Sequence, residues 1–100
     1  MDKYSVKFTN GALGDIDRIY GYIAKTLQAP EAALRLVDRI EEAIFSLEYM
    51  PFRCPVRKTG AFAKSGYRQL LIENYTAVYT VNEVEKTVVI LAVRYFASHY

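Results

Sequence analysis

The chain has 100 residues, which is the size of one small globular domain, so we expect a single domain over residues 1–100. The formal net charge is only +2, from 13 basic and 11 acidic residues, and this is lower than is usual for dedicated nucleic-acid-binding domains. One cysteine excludes an intramolecular disulfide, and no apolar run approaches membrane-spanning length, so we expect a cytoplasmic protein that does not associate with membranes.

The N-terminal half of the sequence predicts one strand and then two helices. Residues 4–9 alternate between apolar and polar side chains, which is typical of a half-buried strand, and Thr9 or Asn10 can cap the helix that follows. In this first helix the apolar stripe comprises Leu13, Ile16, Ile19, Tyr20, Ile23 and Leu27, and the solvent side comprises Asp15, Asp17, Arg18 and Lys25.

The second helix starts near Pro30, which suits the first turn of a helix. Its apolar stripe is longer and more regular: Ala33, Leu36, Val37, Ile40, Ala43, Ile44 and Leu47. Leu34 and Phe45 fall outside that stripe and are expected to flank the core. The break between the helices is short, so they should form an antiparallel hairpin.

The C-terminal third predicts three consecutive strands, after a loop over residues 52–65. The strands are expected over residues 66–72, 75–81 and 87–93, and the last is apolar on both faces, as a central strand is. Glu73 and Asn74 form a two-residue turn in which Asn74 can take a positive φ. The predicted fold is α+β in the order β-α-α-β-β-β, with the helix hairpin packed on a mostly antiparallel sheet. The pattern does not assign a position to the first strand.

Polar and aromatic side chains near the strand ends and in the preceding loop are the candidates for chemistry. No metal-ligand spacing and no Gly-rich phosphate loop is present, so we expect no metal and no cofactor. Cleavage of RNA by its own 2′-hydroxyl needs a base, an acid and cations beside the phosphate. The catalytic candidates are Arg68, Arg94, Tyr95 and His99, and the target-binding candidates are Arg53, Arg57, Lys58, Lys64 and Tyr100.

Each candidate also has a structural interpretation. Arg68 can cap the sheet or pair with Glu73, Tyr95 can belong to the core, and the chain end can fray. Arg94 is the candidate for which function is favoured, because it ends an apolar strand. Its own face is expected to carry Val88, Ile90 and Ala92.

Four segments, in this order, resemble the RelE/ParE superfamily of toxins from type II toxin–antitoxin modules. They are GDIDRIYGYI, APEAALRLVDRIEEAIFSLEYMP, GYRQLLIENYTAVYTV and VVILAVRYFASHY. The resemblance extends over nearly the whole chain. It depends on the order and length of the segments rather than on one diagnostic motif.

The resemblance implies a toxin that is neutralised by a cognate antitoxin, with which it forms a hetero-oligomer. ParE-like members inhibit DNA gyrase, whereas RelE-like members cleave mRNA on the ribosome without a metal. The DIDRIY segment, the long helix hairpin and the modest charge resemble the ParE branch. Tyr67-Arg68 and Arg94-Tyr95 resemble basic and aromatic positions of RNA-cleaving members such as YoeB. Thr76, however, stands where those members commonly carry an arginine.

Gyrase inhibition is therefore the favoured activity. The alternative is ribosome-dependent mRNA cleavage, and a third possibility is a toxin-derived binding module without activity.

Overall fold

Two helices cover one face of a four-stranded mixed sheet in the computed structural model of the chain, which describes residues 3–57 and 66–95. The strands are β1 (Ser5–Phe8), β2 (Arg68–Ile72), β3 (Tyr75–Asn82) and β4 (Thr87–Tyr95), and the helices are α1 (Asn10–Gly21) and α2 (Pro30–Phe45). Across the sheet the strands follow the order β1-β4-β3-β2. The predicted α+β class and the β-α-α-β-β-β order are confirmed.

The first strand lies beside the last. β1 runs parallel to β4, with Ser5 opposite Thr87 and Phe8 opposite Ile90, while the pairs β2–β3 and β3–β4 are antiparallel. This pairing assigns the position that the sequence pattern left open, and it makes β4 a central strand as predicted. β1 spans four residues and β4 spans nine, so β1 pairs with only the first part of β4.

Helix α1 and the turn after it pack much of the predicted apolar stripe against the core, since Ile16 is buried and Ile19 and Ile23 pack beside it. Ala12 and Ile16 are buried against the core, but Leu13 and Leu27 are 49% and 54% exposed, so their assignment to the apolar stripe was wrong. The sheet-facing side passes through Ala12 instead of its neighbour Leu13. Beyond α1 the chain continues as a π-helical turn over Tyr22–Thr26, whose wider spiral changes the side on which later residues fall.

Helix α2 follows the prediction closely. It begins at Pro30, and its buried side consists of Ala33, Leu36, Ile40 and Ile44. Leu34 and Phe45 lie outside this side, and the Phe45 ring meets the Phe8 ring edge-on at 5.8 Å between centroids, so Phe45 flanks the core as expected. No helix in the described ranges is both long enough and apolar enough to cross a membrane.

The turn between β2 and β3 has the predicted length but not the predicted conformation. Ile72 pairs with Tyr75, which leaves two residues in the turn. Glu73 takes the positive φ, at 55°, instead of Asn74. The Glu73 carboxylate accepts from Nε of Arg39 at 2.6 Å, and this ion pair joins the turn to α2.

A β-bulge changes which residues share a face of β4. Ile90 and Ala92 lie opposite consecutive residues of β3, so Leu91 is an extra residue that shifts the alternation by one. Arg94 therefore shares a face with Ala92, as predicted, but not with Val88 and Ile90, which belong to the core on the helix side. β4 also continues to Tyr95, two residues beyond the predicted end.

Candidate functional site

Asp15 is the one charged side chain that is buried among the described residues, with 4% of it exposed. The prediction that Asp15 belongs to the solvent side of α1 was wrong. Its spacing contained the signal, because Asp15 lies three residues after the buried Ala12 and one before the buried Ile16. An acidic residue within an apolar helical stripe needs partners inside the protein, since an unpaired buried charge is costly.

The partners of Asp15 come from the outer edge of β4. β1 ends opposite Ile90, so the edge beyond that residue is completed by α1 and its cap instead of a strand. The Thr9 amide donates to the Ile90 carbonyl at 3.0 Å, and the Thr9 hydroxyl donates to the Leu91 carbonyl at 3.3 Å. The Val93 amide then donates to Oδ2 of Asp15 at 2.9 Å. The buried carboxylate thus satisfies a strand-edge amide.

The same carboxylate holds two arginines. Nε of Arg94 donates to Oδ2 of Asp15 at 3.1 Å, and Nη2 of Arg18 donates to Oδ1. The arginine side chains are 61% and 73% exposed. Charge-assisted hydrogen bonds to a buried acceptor fix the position of both guanidinium groups more firmly than surface ion pairs do. Two oriented cations therefore lie at the surface beside the end of β4.

Three tyrosines lie close to one another near the end of β4. The Tyr75 and Tyr95 rings are tilted against each other with centroids 5.3 Å apart, and Tyr95 is half-exposed, so it is not a core residue. Burial, and next the neighbouring Tyr95, raises the pKa of Tyr75, with smaller contributions from Glu73 and Tyr22. Tyr22 is exposed and lies four residues after Arg18. Arg94 and Tyr95 are consecutive on β4, where they pair with Thr76 and Tyr75, so the Tyr95 side chain leaves the face opposite to that of Arg94.

Arg68, the other predicted catalytic arginine, stabilises a loop. Its Nη1 donates to the Cys54 carbonyl at 2.6 Å and to the Phe52 carbonyl at 3.3 Å, and its guanidinium lies 5.0 Å from the centre of the Phe52 ring. Glu73 pairs with Arg39, so the predicted structural alternative, in which Arg68 pairs with Glu73, was wrong. The contacts of Arg68 join the loop after α2 to the start of β2.

Two of the predicted target-binding arginines also make contacts within the scaffold. Nη2 of Arg53 donates to the Ser46 hydroxyl at 2.6 Å, and its Nη1 donates to the Ser46 carbonyl at 3.2 Å, which stabilises the chain at the end of α2. Nη1 of Arg57 donates to Oε1 of Gln69 at 3.1 Å. The remaining candidates lie outside the described residues; they are Lys58, Lys64, His99 and Tyr100.

The two candidate catalytic arginines do not converge. Arg68 pairs with Tyr79 of β3, whereas Arg94 pairs with Thr76, which is buried. Tyr79 and Thr76 are three residues apart on one strand, so the paired arginines leave opposite faces of the sheet. Three residues of strand also separate them by about 10 Å along the strand direction, in addition to two strand spacings across the sheet.

Sequence reasoning also missed Tyr79, a fully buried tyrosine in the middle of β3. Its hydroxyl donates to the Pro51 carbonyl at 2.7 Å, and burial raises its pKa above the ordinary 10.0. The bond joins the sheet to the loop that follows α2. Alternation alone places Tyr79 on the core side of β3, but it does not identify a loop carbonyl as the partner.

Comparison with known structures finds similar folds among toxin–antitoxin complexes. One is the chromosomal ParDE toxin–antitoxin system from P. aeruginosa, with 28% sequence identity and a TM-score of 0.76 over 93% of this chain and 96% of that chain. A second is the toxin–antitoxin complex RelBE2 from Mycobacterium tuberculosis, with 24% identity and a TM-score of 0.65 over 95% and 93% of the two chains. A third is the archaeal RelE–RelB complex from Pyrococcus horikoshii, with 20% identity and a TM-score of 0.62 over 94% and 96%. The last two similarities show the fold alone.

Sequence comparison gives the family. No curated protein sequence matches the chain significantly. A family model described as the ParE toxin of the type II toxin–antitoxin system parDE matches residues 6–100, and therefore includes most of β1, both helices and the strands β2, β3 and β4. The chain thus belongs to the ParE toxin family of type II toxin–antitoxin systems, within the RelE/ParE superfamily that its sequence resembles.

Proposed function

We propose that this chain inhibits growth by a ParE-like action on DNA gyrase and that a cognate antitoxin neutralises it by binding. Membership of the ParE toxin family and 28% identity to the ParDE system from P. aeruginosa support this proposal. The modest net charge of +2 also agrees with a protein target better than with RNA.

The observation that carries the choice of gyrase over mRNA is the separation of Arg68 and Arg94. Phosphodiester cleavage without a metal needs cations gathered around one pentacoordinate phosphate. The two arginines leave opposite faces of the sheet, and Arg68 is engaged by loop carbonyls. The position opposite Arg94 is occupied by the uncharged, buried Thr76. This arrangement favours an action that depends on protein contacts.

One observation favours mRNA cleavage as the second candidate function. The end of β4 carries both the tilted Tyr75–Tyr95 ring pair and the exposed guanidinium of Arg94, and aromatic rings and cations are the residue types that bind single-stranded RNA. In that activity Arg94 and Tyr95 would act on the phosphate and the bases, together with His99.

Both functions are tested by expressing the chain alone and together with its cognate antitoxin. We expect growth arrest that the antitoxin relieves, and inhibition of gyrase supercoiling by the purified protein. Normal growth while soluble protein accumulates would contradict the toxin function. It would favour the third possibility, a toxin-derived binding module without activity. Mapping of mRNA 5′ ends on translating ribosomes separates the two mechanisms. Cleavage within the codon at the ribosomal A site, with gyrase supercoiling unaffected, would show that the target is mRNA and not gyrase.

A further inference from the structure

Asp15 and Arg94 form a contact between a buried group and an exposed one. Oδ2 of Asp15 accepts from the Val93 amide at 2.9 Å and from Nε of Arg94 at 3.1 Å. This acceptor is well fixed, because it belongs to a helix and also satisfies the edge of β4. Nε of Arg94 is therefore held at a defined position, although the side chain as a whole is more than half exposed.

The contact leaves the far end of the Arg94 guanidinium accessible. A guanidinium carries five N–H donors in a planar fork, and Asp15 engages only the one on Nε. Within residues 3–57 and 66–95, Arg94 makes no side-chain hydrogen bond or ion pair except those to Asp15. The terminal nitrogens Nη1 and Nη2 can therefore bind both oxygens of a carboxylate from outside the chain, a geometry that arginine offers and lysine does not.

The local charge selects the kind of ligand. Arg18 and Arg94 share the single carboxylate of Asp15, so the three groups together carry one net positive charge. One such charge suits an acidic side chain, whereas nucleic-acid binding depends on many phosphate contacts. The ligand that fits this fork is therefore a carboxylate of a protein target.

We infer that Asp15 is a positioning residue for the toxic action: it acts through Arg94, whose Nε it holds so that the terminal nitrogens meet an acidic side chain of DNA gyrase. An arginine that is already held loses less freedom when the target binds, so it contributes more to affinity than a mobile surface arginine does. This inference rests on the proposed function, because gyrase is the target, and it adds the residue that orients the contact.

Charge and orientation predict opposite effects of Asp15→Asn. The substitution removes a negative charge beside Arg94, so an acidic target would bind more tightly if only charge mattered. The neutral amide also holds Nε less firmly, so Arg94 has to be ordered on binding. We therefore expect Asp15→Asn to need at least about fivefold more folded protein to inhibit gyrase supercoiling. Asp17→Asn, which removes an exposed charge from the same helix, is the matched control and should inhibit as the wild type does.

A double-mutant cycle over Asp15→Asn and Arg94→Ala separates positioning from stability. Inhibition is expressed per folded molecule, after circular dichroism in urea has given the folded fraction of each variant. A positioning residue acts only through Arg94, so Asp15→Asn should change the inhibitory concentration by less than about twofold when Arg94→Ala is already present. A merely structural role would weaken inhibition equally in both backgrounds.

Arg94→Lys keeps the test decisive even if Asp15→Asn does not fold. The substitution keeps the positive charge, but an ammonium bound to Asp15 has no planar fork left for a second carboxylate. We expect Arg94→Lys to need at least about fivefold more folded protein for the same inhibition.

Inhibition by folded Asp15→Asn at the wild-type concentration or below it, equal losses in both backgrounds, or full inhibition by Arg94→Lys would each overturn the inference and leave the proposed function intact. Absence of supercoiling inhibition by the wild-type chain would overturn the proposed function and this inference together. Cleavage of mRNA on the ribosome, with supercoiling unaffected, would assign the fork to a phosphate and would overturn the gyrase carboxylate.

Discussion

Asp15 and Arg94 lie 79 positions apart in the sequence, and their side chains meet at 3.1 Å between Oδ2 and Nε. The contact joins the second turn of α1 to the end of β4. Since the carboxylate also accepts from Val93 and Arg18, it connects the strand edge, the helix and the exposed guanidinium in one arrangement. The stability of the fold and the orientation of the Arg18 and Arg94 guanidinium groups therefore depend on the same buried group.

The first prediction concerns the contribution of Asp15 to stability. Asp15→Asn keeps the shape of the side chain but removes its charge. It also replaces one acceptor oxygen by an NH2 group, which then faces the N–H donors of Val93, Arg94 or Arg18. We expect the free energy of unfolding to fall by about 2–4 kcal/mol, as when a buried charged partner is lost. Urea denaturation monitored by circular dichroism measures this change.

Asp17→Asn is the matched control for Asp15→Asn, since Asp17 lies on the same helix and is exposed. Its effect should stay within about 0.5 kcal/mol, as is usual for surface substitutions. Equal effects of the two substitutions would show that the contacts of Asp15 contribute no more than a surface charge.

The position of Asp15 also shows where sequence reasoning succeeded and where it stopped. Helical and strand periodicity predicted the order of elements, most of the α2 stripe and the central position of β4, because burial of apolar side chains decides these features. Periodicity assigned Asp15 to solvent because it treats every carboxylate as exposed. The carboxylate is buried because β1 ends early and leaves the Val93 amide in need of an acceptor, and this depends on the pairing of distant segments.

Two conformational details were beyond the sequence for a similar reason. The sequence favours Asn74 for a positive φ, but Glu73 adopts it while paired with Arg39 of α2. The extra residue Leu91 has no signal in an unbroken apolar run, and it changes which residues share a face with Arg94. Both outcomes are decided by contacts between elements and not by local preference.

The second prediction concerns the cap of α1. The Thr9 hydroxyl accepts from the Ala12 amide at 3.1 Å and donates to the Leu91 carbonyl at 3.3 Å, so it serves both the helix start and the sheet edge. Thr9→Ala should lower the free energy of unfolding by about 1–2 kcal/mol. Thermal unfolding should show this loss. Asn10→Ala, at an exposed position in the first turn of α1, should lower the free energy of unfolding much less. An equal loss in both variants would contradict the role of Thr9 as the cap.

The third prediction concerns the buried hydroxyl of Tyr79. Tyr79→Phe leaves the Pro51 carbonyl without its donor, so we expect a loss of about 1 kcal/mol at neutral pH. Urea unfolding of both proteins gives the difference. Tyr49→Phe, at a half-exposed ring, should cost less than about 0.5 kcal/mol. A Tyr79→Phe variant as stable as the wild type would show that this bond is not needed to hold the loop.

The fourth prediction is the alkaline consequence of the same hydroxyl. Because burial raises the pKa of Tyr79 in the folded chain above 10.0, the unfolded chain ionises first as the pH rises. The stabilising effect is complete below pH 10 and is lost progressively above it, at up to about 1.4 kcal/mol per pH unit. Between pH 9 and about 11.5 the free energy of unfolding should therefore fall more steeply with pH for the wild type than for Tyr79→Phe. Parallel pH profiles would contradict the prediction. Tyr75, whose pKa is also raised, remains in both proteins.

The fifth prediction concerns Arg94 as a residue that contacts gyrase in the proposed function. Its guanidinium is oriented by Asp15 and 61% exposed, so a target can contact it without rearrangement of the chain. We expect Arg94→Ala to need at least about tenfold more protein to inhibit gyrase supercoiling, the loss typical of a binding hot spot. Because the variant also removes a partner of Asp15, its folded fraction is measured first and the inhibition is expressed per folded molecule. Arg35→Ala, exposed on α2, should inhibit as the wild type does. Full inhibition by folded Arg94→Ala would show that Arg94 does not contact gyrase, and the orientation imposed by Asp15 would then serve only stability.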